Sequence, residues 1–166
     1  MIVIGIDPGI AITGYGITCQ EDNGNIVVVD YGAIVTSQTD RNDGARLLGI
    51  YHRLNEILAL HRPQAAAVEK LFFQKNTRTA MAVGQARGVA LLALAQNKIQ
   101  VYEYTPVEIK QALTGYGGAD KRQMQEMVKL RLSLSEIPKP DDVADALAIA
   151  ICHLQSYRLR HHEESG

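Results

Sequence analysis

The sequence predicts an α/β fold in which a group of strands precedes alternating helices and strands, and three observations carry that reading. Short apolar runs rich in β-branched residues stand at residues 2–6, 12–19 and 26–35, separated by turn-forming residues. From Gly44 the apolar spacing changes to the threes and fours of a helix. Two further strand-like runs then alternate with helical stretches, so the order is three strands, helix, strand, helix, strand, then helices.

The first run, residues 2–6, is stopped by Asp7-Pro8-Gly9, a turn sequence. The next two runs flank Glu21-Asp22-Asn23-Gly24 and complete an antiparallel meander. Over residues 44–60, Leu47, Tyr51, Leu54 and Leu58 share one helical face. His61-Arg62-Pro63 ends that helix, and Ala65-Ala66-Ala67-Val68 opens a fourth strand finishing at Glu69. Residues 79–95 form a helix rich in small side chains, with Ala80, Gly84 and Gly88 four apart. A helical glycine costs about 1 kcal/mol relative to alanine, so close packing on a sheet or on another subunit is expected there. Residues 99–104 are a fifth strand, and Thr105-Pro106 starts a short helix. Gly115, Gly117 and Gly118 interrupt the chain before a helix over 121–132, and a last helix spans 142–157.

At 166 residues and 18.2 kDa the chain has the length of one domain, expected over 1–157 with a polar, disordered tail at 158–166. A formal net charge of −1 excludes a general polycation, so contact with nucleic acid must come from a local basic surface. Cys19 and Cys152 are too few for a disulfide framework and suit a reducing compartment. The start lacks the features of a secretory leader, and no apolar stretch has the length of a bilayer span. A cytoplasmic protein without membrane association is expected.

The chemistry is expected in carboxylates at the ends of apolar segments. Asp7 closes the first strand, Glu69 closes the fourth, and Asp142 and Asp145 open the last helix. Hard cations such as Mg²⁺ take oxygen ligands, and two of them roughly 4 Å apart can activate a water and stabilise a leaving oxygen in phosphodiester cleavage. The acids can surround such a pair only if the first and fourth strands are neighbours. Simpler roles exist for some of them: Asp7 suits a turn, Glu69 an ordinary strand end, and Asp141 or Asp142 a helix cap. Asp145 lies one turn into the helix among alanines and Leu147, an unusual place for an acid. Asp141 and Asp142 are both within a turn of it, and spacing does not choose between them. Crowded carboxylates repel, so raised pKa values are expected without metal.

Between Lys70 and Arg131 stand ten Lys or Arg and four Asp or Glu. Lys75, Arg78 and Arg87 follow Glu69, while Lys110, Lys121 and Arg122 precede the last acids. These residues suit either solvated helix faces or contacts to a phosphate backbone. Phe72 and Phe73 are the only phenylalanines. One suits a core position, and an exposed one beside basic residues suits stacking on a base.

Gly5-Ile6-Asp7-Pro8-Gly9, Thr13-Gly14-Tyr15-Gly16, Val68-Glu69-Lys70-Leu71-Phe72, Gly84-Gln85-Ala86-Arg87-Gly88, Tyr104-Thr105-Pro106 and Asp142-Val143-Ala144-Asp145 occur in order over nearly the whole chain. Together they resemble the RuvC-type Holliday-junction resolvases of the RNase H-like superfamily. The resemblance implies a five-stranded mixed sheet, its first three strands antiparallel, flanked by helices. It implies catalytic, metal-holding acids at Asp7, Glu69, Asp142 and Asp145, with Asp141 left as a cap. Phe72 matches an aromatic that stacks on a junction base, while Phe73, Lys75, Arg78 and Arg122 are further candidate DNA contacts. Lys110 and Lys121 match basic residues near the scissile phosphate.

The resemblance also implies a homodimer that makes two symmetric nicks in a four-way DNA junction, leaving 5′-phosphate and 3′-hydroxyl ends. Two Mg²⁺ per active site, replaceable by Mn²⁺, and a branch-migration motor of the RuvA–RuvB type are implied as cofactor and partner. The dimer interface is expected on the helix carrying Ala80, Gly84 and Gly88. Three rivals stand beside this reading. The Gly5–Gly9 segment also resembles the phosphate loop of actin-like ATPases, but only one such loop is present. A junction-binding module without catalysis and a nuclease acting on RNA–DNA hybrids are the other two.

Overall fold

The computed structural model describes residues 1–37, 42–70 and 77–164, with side chains described over 79–157 in the last stretch. The chain runs β1 (Ile2–Asp7), β2 (Ile12–Gln20), β3 (Ile26–Val35), α1 (Asp43–His61), β4 (Ala65–Glu69), α2 (Thr77–Gln96), β5 (Gln100–Tyr104), α3 (Pro106–Thr114), α4 (Lys121–Arg131) and α5 (Asp141–Glu164). The five strands form one sheet in the order β3-β2-β1-β4-β5. β1 to β3 pair antiparallel, whereas β1 with β4 and β4 with β5 pair parallel. The mixed sheet with its antiparallel meander is the one expected, and the first and fourth strands are neighbours.

Helices cover both faces. Ile4, Ile6, Ala66 and Val68 point to a core shared with α1 and α2, including Ile50, Leu54, Ala90 and Leu94. On the other face Ala67 and Tyr104 meet Leu113, Val128, Leu147 and Ile151 from α3, α4 and α5. Ala65 to Val68 are therefore all buried, as a central strand covered on both sides must be. That is why β4 lacks polar alternation in the sequence.

Local chemistry sets the helix ends. The Asn42 side chain accepts from the Ala45 N–H at 2.9 Å to cap α1, which ends at Arg62 in the left-handed conformation with Pro63 next. Thr105 and Glu108 form a capping box on α3, and Asp120 and Gln123 form another on α4. Leu47 and Tyr51 are only partly buried, while Ile50 and Ile57 join the core, so the buried face of α1 is rotated from the one expected.

The backbone of α5 continues to Glu164, through residues 158–164 that contain neither glycine nor proline. Of the two reasons expected for the helical glycines, packing on the sheet is not met at Gly84 and Gly88. A Cβ built at each meets nothing within 4 Å, because α2 turns Ala86, Ala90 and Ala93 inward instead.

Candidate active site

Strand register brings the acids together. Ile6 pairs with Val68 in the parallel β1–β4 ladder, so Asp7 and Glu69 follow side by side at the same edge of the sheet. Asp7 also pairs with Gly14 across the antiparallel β1–β2 ladder. A Cβ on Gly14 would lie 2.0 Å from the Asp142 carbonyl oxygen, and one on Gly5 would lie 2.0 Å from that of Ala146. The two glycines therefore let the backbone of α5 rest directly on β1 and β2. This contact delivers Asp142 and Asp145, the start of α5, to the strand ends that carry Asp7 and Glu69.

The electrostatics follow from that crowding. Burial pushes the Asp7 carboxyl up from 3.8 to about 7, and the negative charges of Asp145, Asp142 and Glu69 push the same way while Lys121 opposes them. Glu69 is raised by burial and by Asp145, with Lys110 opposing. Asp145 is raised chiefly by burial, against the pull of Lys121. Elevated carboxyl pKa values at this site are what the sequence analysis anticipates.

Lys121, the first residue of α4, stands between two acids, with its Nζ 3.1 Å from Asp141 Oδ2 and 3.5 Å from Asp145 Oδ2. Gln125 Nε2 donates to the other Asp141 oxygen at 3.1 Å. Asp141, expected as a helix cap, is instead the exposed first residue of α5 with its carboxylate turned to α4. Of Asp141 and Asp142, it is the second whose charge acts on Asp7. Lys110, Lys121, Glu69 and Asp145 together border a cavity of ≈ 220 Å³ floored by Ile109, Met124 and Ile149.

The other basic candidates divide. Arg122 is exposed and lines a separate groove with Tyr116 and Glu126. Arg87, a candidate phosphate contact in the sequence, turns its guanidinium onto the Glu69 carbonyl and the Glu103 carboxylate. Phe72, Phe73 and Lys75 lie outside the described residues, as does the Arg78 side chain. Sequence reasoning missed the roles of Glu103 and Asp141, because no local pattern links either to its distant cationic partner.

The donor set suits a hard cation: all oxygen, several carboxylates, and repulsion that a divalent ion relieves. Among the described residues, no group of three or more His, Cys, Asp or Glu closes into a ready-made metal site. The acids instead gather at one edge of the sheet, with the exposed Lys121 beside Asp141 and Asp145.

Comparison with known proteins places the chain in a family. The family described as crossover junction endodeoxyribonuclease RuvC matches residues 3–153. The chain is 54% identical over 156 residues to the crossover junction endodeoxyribonuclease RuvC of Caldicellulosiruptor saccharolyticus, covering 94% of this chain and 93% of the relative. With its counterpart from Chloroflexus aurantiacus the identity is 58% over 153 residues, 92% of each chain. The structure of T. thermophilus RuvC in complex with a Holliday junction substrate superposes with a TM-score of 0.86 at 36% identity, over 96% of both chains. The yeast mitochondrial Holliday junction resolvase Ydc2 shares the fold at a TM-score of 0.70 and 14% identity, over 98% of this chain and 81% of that one. The sheet and its flanking helices define an RNase H-like nuclease. Within that class, the chain belongs to the RuvC family of crossover junction endodeoxyribonucleases.

Proposed function

We propose that residues 1–157 act as one nuclease domain that resolves four-way DNA junctions as a homodimer, nicking two opposed strands symmetrically. The observation that carries this reading is geometric: strand register sets Asp7 beside Glu69, and the start of α5 with Asp142 and Asp145 rests on β1 and β2 next to a cavity bordered by Lys110 and Lys121. Asp7, Glu69, Asp142 and Asp145 hold Mg²⁺, two ions per site with Mn²⁺ as a substitute. When bound, the ions supply an activated water and charge stabilisation on the phosphate.

The chain's own residues do the rest. Asp7 is deprotonated for this role, Lys110 and Lys121 counter the negative charge that builds on the phosphate, and the exposed Arg122 adds a backbone contact. Phe72 stacks on a junction base, with Phe73, Lys75 and Arg78 as neighbouring contacts. Hydrolysis leaves 5′-phosphate and 3′-hydroxyl ends that a ligase can seal. Two-fold symmetry suits a substrate with two equivalent strands to cut. The reading extends to a RuvA–RuvB-type motor as partner and to the cytoplasm, where cysteines such as Cys19 and Cys152 stay reduced.

The test is incubation of the wild type and Asp7→Asn with a synthetic mobile four-way junction, with and without Mg²⁺. Paired symmetric, ligatable nicks by the wild type alone, and only with metal, are expected. Asp7→Asn should lose at least about a hundredfold in cleavage and still bind the junction, because binding rests on the basic surface. Binding without cutting in both Mg²⁺ and Mn²⁺ identifies a binding module. Failure to bind junctions removes the proposal.

A further inference from the structure

Glu69 stands where the sheet runs out. Its neighbour Lys70 donates its N–H to the Tyr104 carbonyl at 2.8 Å, the last β4–β5 backbone bond among the described residues. Glu69 is the last residue of β4 to pair with β5, opposite Tyr104. A side chain from outside the sheet holds its main chain there. Arg87 reaches from α2 with only 12% of its side chain exposed, and its Nη1 donates to the Glu69 carbonyl oxygen at 2.7 Å. Its Nη2 donates to the carboxylate of Glu103, which lies on β5 opposite Val68.

We propose that Arg87 is a positioning residue for the acidic site. It locks the Glu69 backbone against β5 so that the carboxylate stays turned toward Asp145 and Asp7, and Glu103 holds the guanidinium in place. This inference rests on the reading of Glu69 as a cation ligand. The planar guanidinium offers two donors in a fixed fork, which suits it to hold a carbonyl and a carboxylate together; a lysine ammonium lacks that geometry. Arg87 acts through the Glu69 main chain, since its hydrogen bond goes to the carbonyl oxygen and not to the carboxylate. With both arms engaged inside the molecule, it is not a phosphate contact.

The experiment compares full-length Arg87→Lys, Arg87→Gln, Glu103→Gln and Glu69→Gln with the wild type. Mn²⁺ affinity is read without DNA by electron paramagnetic resonance of the free ion, junction affinity in EDTA, and Lys70 amide protection by hydrogen exchange. Loss of a group that orients a metal ligand lowers metal affinity on the order of tenfold or more. Arg87→Gln is expected to show that loss, and Glu103→Gln and Arg87→Lys a smaller one. All three should exchange the Lys70 amide faster, bind the junction as the wild type does, and recover cleavage as Mg²⁺ is raised. Unchanged Mn²⁺ affinity and amide protection in folded Arg87→Lys and Glu103→Gln, with Glu69→Gln impaired, overturns the positioning role alone. Weakened junction binding with unchanged Mn²⁺ affinity makes Arg87 a DNA contact and equally overturns it. Wild-type Mn²⁺ affinity in Glu69→Gln removes the ligand reading on which the inference stands.

Discussion

Asp7 keeps its proton up to a pH of about 7 in the folded protein, whereas an ordinary aspartyl group loses it near 3.8. Between those values the folded chain binds a proton that the unfolded chain has released, so raising the pH across this window favours unfolding. The penalty is absent below the lower value and complete above the upper one. A bound cation competes with the same proton, so metal affinity falls as pH drops below about 7. Thermal unfolding of the metal-free wild type and Asp7→Asn across this range should show the variant gaining relative stability as pH rises. Added Mg²⁺ should stabilise the wild type at pH 8 far more than at pH 5. A gap between the two proteins that stays constant with pH would place the Asp7 titration elsewhere. The same scale separates Asp141 from Asp142: the first holds Lys121, the second presses on Asp7.

At the scale of elements, the site depends on how closely a helix approaches a sheet. α5 lies across β1 and β2 because Gly5 and Gly14 present bare backbone to it, and its first two turns carry Asp142 and Asp145. Gly14→Ala forces a methyl group into the Asp142 carbonyl, where neither backbone can yield without moving α5. Overpacking of this kind costs about 1–3 kcal/mol, to be read by urea denaturation. Because α5 carries Asp142 and Asp145, the variant should also bind Mn²⁺ more weakly at the same junction affinity. Stability and metal binding like those of the wild type would show that the approach is not tight. α4 contributes through its start: the Asp120–Gln123 capping box fixes Lys121 at its first position. A cation there opposes the helix dipole, and the flanking Asp141 and Asp145 compensate.

For the whole molecule, the outward face of α2 is one of the places where large apolar side chains meet solvent. Met81 and Leu92 are 67% and 53% exposed, and the space beside Gly84 and Gly88 is open. We propose that these glycines serve subunit packing on this face. Gly84→Leu should therefore shift the protein toward monomer in sedimentation velocity while preserving its fold by circular dichroism. Paired nicking of one junction should then give way to single nicks. A dimer that survives this substitution has its interface on another face.

The sequence by itself determined the order and kind of the elements, the turn after Asp7, the Thr105–Pro106 helix start and the acids at segment ends. Those properties are written in neighbours: alternation for a strand, threes and fours for a helix, and side chains that satisfy nearby N–H groups. Resemblance over ordered motifs then singled out Asp142 from Asp141, which spacing alone left open. Only the tertiary structure decided that β1 and β4 are neighbours, that the Arg87 guanidinium meets the Glu69 carbonyl, and that Lys121 bridges Asp141 and Asp145. Each of these joins residues far apart in the chain. No local pattern encodes such a distance; it is settled when the sheet register and the seat of α5 on Gly5 and Gly14 are set together.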